Sequence, residues 1–407
     1  MSKIIENIAE LGKSRGAEID EWFAENYALL PHGNSALFYN SVDIRRSQYK
    51  LAPVDSNLFP AGFNNLSAAA LENGVKAARH FFAKHYPGAA KIILLPENHT
   101  RNLYYIENII VLRTMLETAG MEVRVGNFFA GEGTVTLNSA SGKELAVNFL
   151  QVENGKLMAG AEKFIPDLVI INNDFTSGLP EELKKISQPI LPNPELGWHT
   201  RRKSKHFAAY DQVARKFCGH FGLDDFFITT IFRQCGTVNF REREGLECIA
   251  LNVEKVIHTL KEKYKERGIL DEPYVFIKSD KGTYGMGIMT AKSGDEVYEM
   301  GKKMRHKMNV IKGGELNDEV IIQEGIPTID SIEGHPAEPI IYAIGCQPIG
   351  IFYRANVEKD EFGNLNSPGM KFYSEPDKAV EDLYPCGFKV FGLIARLATL
   401  AAAKEEY

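Results

Sequence analysis

At 407 residues the chain is long for one simple core and comfortable for two or three packed units. Its 44% hydrophobic and 25% charged residues are ordinary for a soluble globular protein. A net charge of −6 excludes a whole-chain basic footprint for nucleic acid and leaves one local basic cluster, "HTRRKSKHF" at 199–207.

Residues 2–30 carry apolar side chains at helical spacing. Glu6 and Glu10 fall inside that pattern and exclude a signal peptide, which needs an uncharged apolar centre. A second amphipathic helix is predicted over 66–86, with Ser67 as its N-cap. "AKIILLPEN" (90–98) reads as a buried strand, 102–120 as a helix stopped by Gly120, and "MEVRVGNF" as the next strand. That β–α–β rhythm predicts a parallel sheet covered by helices. Short strands over 134–159 turn at Ser141–Gly142 and Asn154–Gly155; 166–174 is another buried strand, and "GLPEELKKI" opens a helix. Proline and glycine gather at 187–198, a linker. Residues 1–195 are therefore expected to form an α/β domain, and 196–407 a second, α+β domain.

In the second half, helices are predicted over 204–222 and 251–266. Strand signals follow in "YVFIKSD", "GIMTAK", "EVIIQEGI", "EPIIYAIG" and "PIGIFYRAN", interrupted by charged helical text at 294–309. A helix at 388–405 closes the chain; its apolar run is broken by Arg396 and too short to span a bilayer. A cytoplasmic protein without membrane or nucleic-acid partners is expected. The five cysteines (218, 235, 248, 346 and 386) are scattered, odd in number and without CxxC spacing, which predicts reduced thiols rather than a disulfide framework or a zinc site.

The most informative stretch is "FIKSDKGTYGMGIM" at 276–289. Gly282, Gly285 and Gly287 follow neither the Walker pattern nor the dinucleotide fingerprint, because a strand rather than a helix comes next. A glycine-rich loop between antiparallel strands can fold over a triphosphate: bare backbone lets N–H groups approach, and glycine permits positive φ. A ligand-free hairpin remains the alternative on glycine content alone. Lys278, four residues before the loop, is placed to reach the same phosphates as a point charge. "VIIQEGIPT" (320–328) is an apolar strand that ends abruptly, offering backbone groups to a base edge.

The order of lysine strand, "KGTYGMG" loop, helix and "IIQEGI" strand resembles the ATP-grasp carboxylate–amine ligases. Together with "DIRRSQYKLAPVDSNLFPAGFNN" (43–65) and "FYRANVEKDEFGNLNSPGMKF", it resembles the proteobacterial, ferrooxidans-type glutamate–cysteine ligases over nearly the whole chain. The resemblance implies a pre-ATP-grasp-like parallel-sheet domain followed by a two-lobed ATP-grasp domain. It implies ATP and Mg²⁺ as cofactors, and glutamate and cysteine as substrates. A different substrate pair, as in glutathione-synthetase-like or peptide ligases, and a non-catalytic nucleotide-binding regulator are the competing readings. A nicotinamide dehydrogenase is excluded by the missing fingerprint. Oligomeric state is open.

By that resemblance Lys278 and a second lysine, Lys203 or Lys205, contact the ATP phosphates. Gly282, Thr283, Tyr284, Gly285 and Gly287 cover them. Gln323, Glu324, Gly325 and Ile326 meet adenine through the backbone. Arg354 faces the transferred phosphate, which its planar fork suits. Glu338, Asn364 and Asn366 are the candidate metal ligands, although Asn364 stands where the family pattern has glutamate. A competing alignment makes "NLNSPG" only the loop after the arginine strand. For the amino acid, Arg45, Arg46 and Lys50 could neutralise carboxylates, Asp55 could meet an ammonium, and Asn57, Asn64 and Asn65 add amide groups in a segment that ends as a loop. His99, Arg101 and Asp174 follow predicted parallel strands, where ligands of open α/β sheets collect.

Overall fold

The structure is a computed structural model that describes residues 3–30, 37–98, 101–128, 133–282, 285–310, 314, 316–374 and 387–405. The N-terminal amphipathic run is two helices, α1 (Lys3–Ser14) and α2 (Gly16–Ala28), because Arg15 leaves helical geometry at φ −129°, ψ 28°. The hairpin β1 (Tyr39–Arg46) and β2 (Leu51–Asn57) follows, then α3 (Ala68–His85), β3 (Lys91–Pro96), α4 (Leu103–Thr118) and β4 (Glu122–Asn127). Ser67 caps α3 as expected, its hydroxyl accepting from the Ala70 N–H. β5 (Thr134–Asn138), β6 (Glu144–Glu153) and β7 (Lys156–Ala159) turn where the sequence indicates. Asn154 and Gly155 both take positive φ, the geometry a two-residue Asn-Gly hairpin requires. β8 (Leu168–Asn172) and β9 (Ile190–Leu191) complete the N-terminal half.

The remaining elements are α5 (Lys203–Phe221), β10 (Phe232–Cys235), α6 (Leu246–Arg267), β11 (Val275–Ser279), β12 (Met289–Ala291), α7 (Asp295–Tyr298), α8 (Lys302–Asn309), β13 (Val320–Glu324), β14 (Ser331–Ile332), β15 (His335–Ile344), β16 (Gln347–Asn356), β17 (Met370–Ser374) and α9 (Gly387–Ala403). The strands form three sheets. One runs β5-β6-β4-β3-β8-β9, with β7 on β6, and is parallel from β6 through β9. A four-stranded antiparallel sheet, β10-β13-β11-β12, carries α6 on its apolar face. A six-stranded antiparallel sheet runs β17-β16-β15-β1-β2, with β14 on β15.

The parallel sheet and the antiparallel second half match expectation; several details do not. Residues 178–186 give only a 3-10 turn at Leu183–Lys185, because the chain re-enters the parallel sheet at Ile190. α6 starts at Leu246, behind Gly245 at φ +75°. The 294–309 helix is broken before Gly301, and β17 was not anticipated. The hairpin β1–β2 lies in the same sheet as β15–β17, so a boundary at residue 195 cuts through a sheet rather than between domains. Cys235 and Cys248 form a disulfide, against the expectation of reduced thiols. β10 and the first turn of α6 bring their Cα atoms to 6.4 Å, a proximity that spacing in sequence cannot show. Cys218 and Cys346 are buried thiols, and Cys386 lies outside the described residues. No described helix is long and apolar enough to cross a membrane.

Strand alternation in the six-stranded sheet creates the site. Val42 and Ile44 of β1, Ala337 and Ile341 of β15, and Ile351 and Tyr353 of β16 face the core formed with α1, α2, α5 and α9. The opposite face is apolar at one end, where Tyr39, Ile340, Tyr342 and Phe352 pack with residues of α3 and α4. Along the same side chains of that face, β1, β15 and β16 then carry Asp43, Arg45, Glu338 and Arg354, and these meet the four-stranded sheet.

Candidate functional site

Between these two sheets lies a pocket lined by Asp43, Arg45 and Asp55 from the hairpin, Glu338 and Arg354 from β15 and β16, and Lys203 at the start of α5. The four-stranded sheet adds Phe276, Lys278, Lys281 and the glycine loop, while Asn364 and Asn366 arrive from the loop between β16 and β17. Five cations stand against three carboxylates, an excess suited to a polyanion. A larger cavity of about 530 Å³ lies nearby, but it is lined by Asp271, Glu272, Asp330 and Glu361 with Lys292 as its one cation, which disfavours phosphate.

The charges are locked together. The Arg354 Nη1 donates to Asp43 Oδ2 at 2.9 Å and Glu338 Oε1 at 2.7 Å, and Arg45 Nε donates to the other Glu338 oxygen at 2.8 Å. Lys203 Nζ lies 2.5 Å from Asp55 Oδ1, and Lys278 Nζ donates to Gln323 Oε1 at 2.9 Å and the Val54 carbonyl at 3.1 Å. These lysines therefore tie α5 and β11 to β2. As packed, the pocket leaves about 60 Å³, room for a few waters.

Electrostatics follow from this packing. Burial lowers the Lys278 pKa to about 8, with Asp55 opposing the shift and Lys203 reinforcing it. Burial pushes Asp55 upward, but Lys203 and then Lys278 outweigh it and hold the acid at about 2. Asp43 faces Asp55 directly across the strand pair. Burial raises Asp43 to about 6 despite Arg354, and the neighbouring Asp55 and Glu338 carboxylates add to the rise. Glu338 is lowered, because Arg45 and Arg354 together outweigh its burial.

The glycine loop joins antiparallel strands as predicted, and Gly282, Gly285 and Gly287 all take positive φ. A Cβ on Gly285 would sit 2.0 Å from the Asn366 carbonyl oxygen, so only glycine permits this approach to the 364–366 loop. Asn364 Nδ2 donates to the Gly285 carbonyl at 3.3 Å. Thr283 and Tyr284 lie outside the described residues. The 364–368 turn is held from beneath by buried Asn356, whose Nδ2 donates to the Leu365 and Ser367 carbonyls.

Of the expected site residues, Lys203, Lys278, Gly282, Gly285, Arg45, Asp55, Glu338, Arg354, Asn364 and Asn366 line this pocket. Others do not. Lys205 is exposed on the outer side of α5. Lys50 is buried against Glu324, its Nζ 2.7 and 2.8 Å from the two carboxylate oxygens. Arg46 pairs with buried Asp330. Asn57 accepts from the Phe59 N–H in a turn, and Asn64 and Asn65 lie in a 3-10 turn and are not among the lining residues. In the stretch proposed for adenine, the Glu324 N–H donates to Ile231, the Gly325 N–H to Tyr274, and the Ile326 carbonyl accepts from Arg45. Gln323 reaches the site only through Lys278. Arg101 is exposed, Asp174 caps its own turn through Thr176, and His99 is outside the described residues. The ends of β3 and β8 are covered instead by the 60–63 loop, with Asn172 donating to the Pro60 carbonyl and Asn108 accepting from Gly62 and Phe63. Asp43 and Lys281 escaped sequence reading. The signal for Asp43 was its alternation with Val42 and Ile44, which puts it on the face of Arg45.

The glutamate-cysteine ligase (GshA) family matches residues 12–406. Among solved structures, a provisionally assigned gamma-glutamylcysteine synthetase from Methylobacillus flagellatus KT is 36% identical, covers 98% of this chain and 95% of its own, and superposes with a TM-score of 0.86. Weaker likenesses are to D-alanyl-alanine synthetase A of Vibrio cholerae O1 biovar eltor str. N16961 (12% identity, 74% and 80% coverage, TM-score 0.32) and a glutathione synthetase-like effector of Globodera pallida (10%, 88% and 86%, TM-score 0.40). No curated protein matches the sequence. On the family match and the Methylobacillus likeness, this chain belongs to the glutamate-cysteine ligase family, and it is an ATP-dependent ligase.

Proposed function

We propose that the enzyme phosphorylates the γ-carboxylate of L-glutamate with ATP and lets the L-cysteine amine displace phosphate from the acyl phosphate. The products are γ-glutamylcysteine, ADP and phosphate. The observation that carries this reading is the convergence of Lys203, Lys278 and Arg354 on one pocket in a chain of this family. The reaction asks mainly for positioning and charge neutralisation. On nucleotide entry Lys203 and Lys278 exchange Asp55 and Gln323 for phosphate oxygens, and the loop at 282–287 covers them. Arg354 sets its guanidinium against the transferred phosphoryl group. Released from Lys203, Asp55 meets a substrate ammonium, and Arg45 meets a carboxylate. Asp43, ionised at neutral pH yet more basic than an ordinary aspartate, accepts the proton that the attacking ammonium loses.

Magnesium is the divalent metal we assign to the nucleotide, but Glu338, Asn364 and Asn366 do not fit as its cage. Both Glu338 oxygens already accept guanidinium N–H groups, and Asn364 Oδ1 accepts the Asn366 N–H. Two arginines beside the only acid of the set oppose a dication there. The test is incubation of pure protein with ATP, magnesium, glutamate and cysteine, with products identified by mass spectrometry. γ-Glutamylcysteine formed one-for-one with ADP supports the assignment; absence of phosphate release from folded protein, or turnover only with another amine, defeats it.

A further inference from the structure

Two residues beyond α9, Glu405 has a side chain only 1% exposed and lies outside the pocket lining. Its carboxylate accepts from Arg201 twice, from Nε at 3.0 Å and Nη2 at 2.9 Å, and meets His206 Nδ1 at 2.6 Å. Arg201 precedes α5 and His206 lies in its first turns, so one carboxylate staples the chain on both sides of Lys203. The remaining arm of Arg201, Nη1, donates to the Ser56 carbonyl at 2.6 Å, next to Asp55, the partner of Lys203. Trp198 completes the seat: its ring lies 5.0 Å from the Arg201 guanidinium and 4.5 Å from Lys203 Nζ.

We propose that Glu405 is a positioning residue for the reaction, a latch that carries the rigidity of α9 through Arg201 and His206 to Lys203 and holds that ammonium where the nucleotide phosphates arrive. α9 is a firm reference, since Ile394, Leu397 and Leu400 are fully buried in the main core. The four-stranded sheet holds the same point from the other side. The Lys203 N–H donates to the Asp280 carbonyl at 2.8 Å, and the Asp280 carboxylate accepts from the Ser204 N–H and hydroxyl at 2.7 and 2.6 Å. Lys203 is thus fixed between Glu405, just beyond α9, and Asp280, just beyond β11. Glu405 stays ionised although burial opposes it, because Arg201 and His206 outweigh that cost. Burial lowers the His206 pKa, with Glu405 opposing the shift across the 2.6 Å contact at Nδ1.

The latch rests on the reading of Lys203 as a phosphate ligand, and the test separates the two. ATP-analogue affinity is measured by calorimetry for the intact chain, Lys203→Ala, Glu405→Gln and the double variant, with KM values for all three substrates. Glu405→Gln is expected to weaken nucleotide binding about tenfold, the order of loss when a supporting partner of a binding group is removed. It should leave the KM values for glutamate and cysteine within about twofold, and in the Lys203→Ala background it should change nucleotide affinity less than about twofold. Glu405→Asp should recover part of the loss. If Lys203→Ala leaves nucleotide affinity intact, the phosphate reading of Lys203 is wrong and the latch with it. If Lys203→Ala weakens binding but Glu405→Gln has no effect, or an equal effect in both backgrounds, the latch alone is overturned. Should Glu405→Gln fail to fold, Glu405→Asp takes its place in the same cycle.

Discussion

Replacing Lys50 by methionine should unsettle the fold rather than the recognition of substrate. Lys50 and Glu324 have side chains with no exposure, and the ammonium sits 2.7 and 2.8 Å from the two carboxylate oxygens and 3.8 Å from the centre of the Phe226 ring. Without the lysine, Glu324 keeps the Ile231 N–H at 3.0 Å and a long contact of 3.5 Å to the Tyr264 hydroxyl. Those cannot offset a buried anion, and breaking such a pair costs about 3–5 kcal/mol. Lys50→Met should therefore shift the urea unfolding midpoint sharply downward, while folded protein keeps its KM for glutamate within about twofold. Lys50→Met combined with Glu324→Gln removes both charges, retains an acceptor for Ile231, and should recover all but about 1–2 kcal/mol. The reasoning is refuted if Lys50→Met unfolds within about 1 kcal/mol of the parent, or if the double variant is no more stable than the single one.

Lys278→Met should cut turnover at least ~100-fold, as loss of a preorganised charge does; a few-fold loss would remove this lysine from the chemistry. Because Lys278 has a pKa of about 8 in the ligand-free pocket and phosphate favours its charged form, nucleotide binding should take up a proton near pH 8. Affinity should then fall as pH rises through 8, and calorimetry in buffers of different ionisation enthalpy should show the uptake; pH-independent affinity between 7 and 9 would contradict it. Gly285→Ala combines a Cβ 2.0 Å from the Asn366 oxygen with a φ of +64°. It should raise KM for ATP about tenfold or more, since strain of a few kcal/mol displaces the loop, and an unchanged KM would show that the 285–366 contact is dispensable.

The local signals were legible where one residue decides one geometry. The Asn154–Gly155 turn, the Ser67 cap and the antiparallel strands flanking the glycine loop each follow from chemistry within a few positions. What could not be read was pairing across the chain. The 43–65 block carried Arg46, Lys50 and Asp55 as equivalent charges. Only the fold shows that the first two are consumed by Asp330 and Glu324, some 280 residues on, while Asp55 enters the cleft. For the 323–326 stretch proposed for adenine, the fold likewise supplies what the sequence could not: the Glu324 and Gly325 N–H groups and the Ile326 carbonyl are engaged with Ile231, Tyr274 and Arg45. Glu405 was invisible because its partners lie 199 and 204 residues away.

The most direct test is a crystal structure with a non-hydrolysable ATP analogue. The account predicts parted sheets, with Lys203 and Lys278 withdrawn from Asp55 and Gln323 onto the phosphates and the 282–287 loop above them. Nucleotide bound elsewhere, with both lysines still on Asp55 and Gln323, would contradict it.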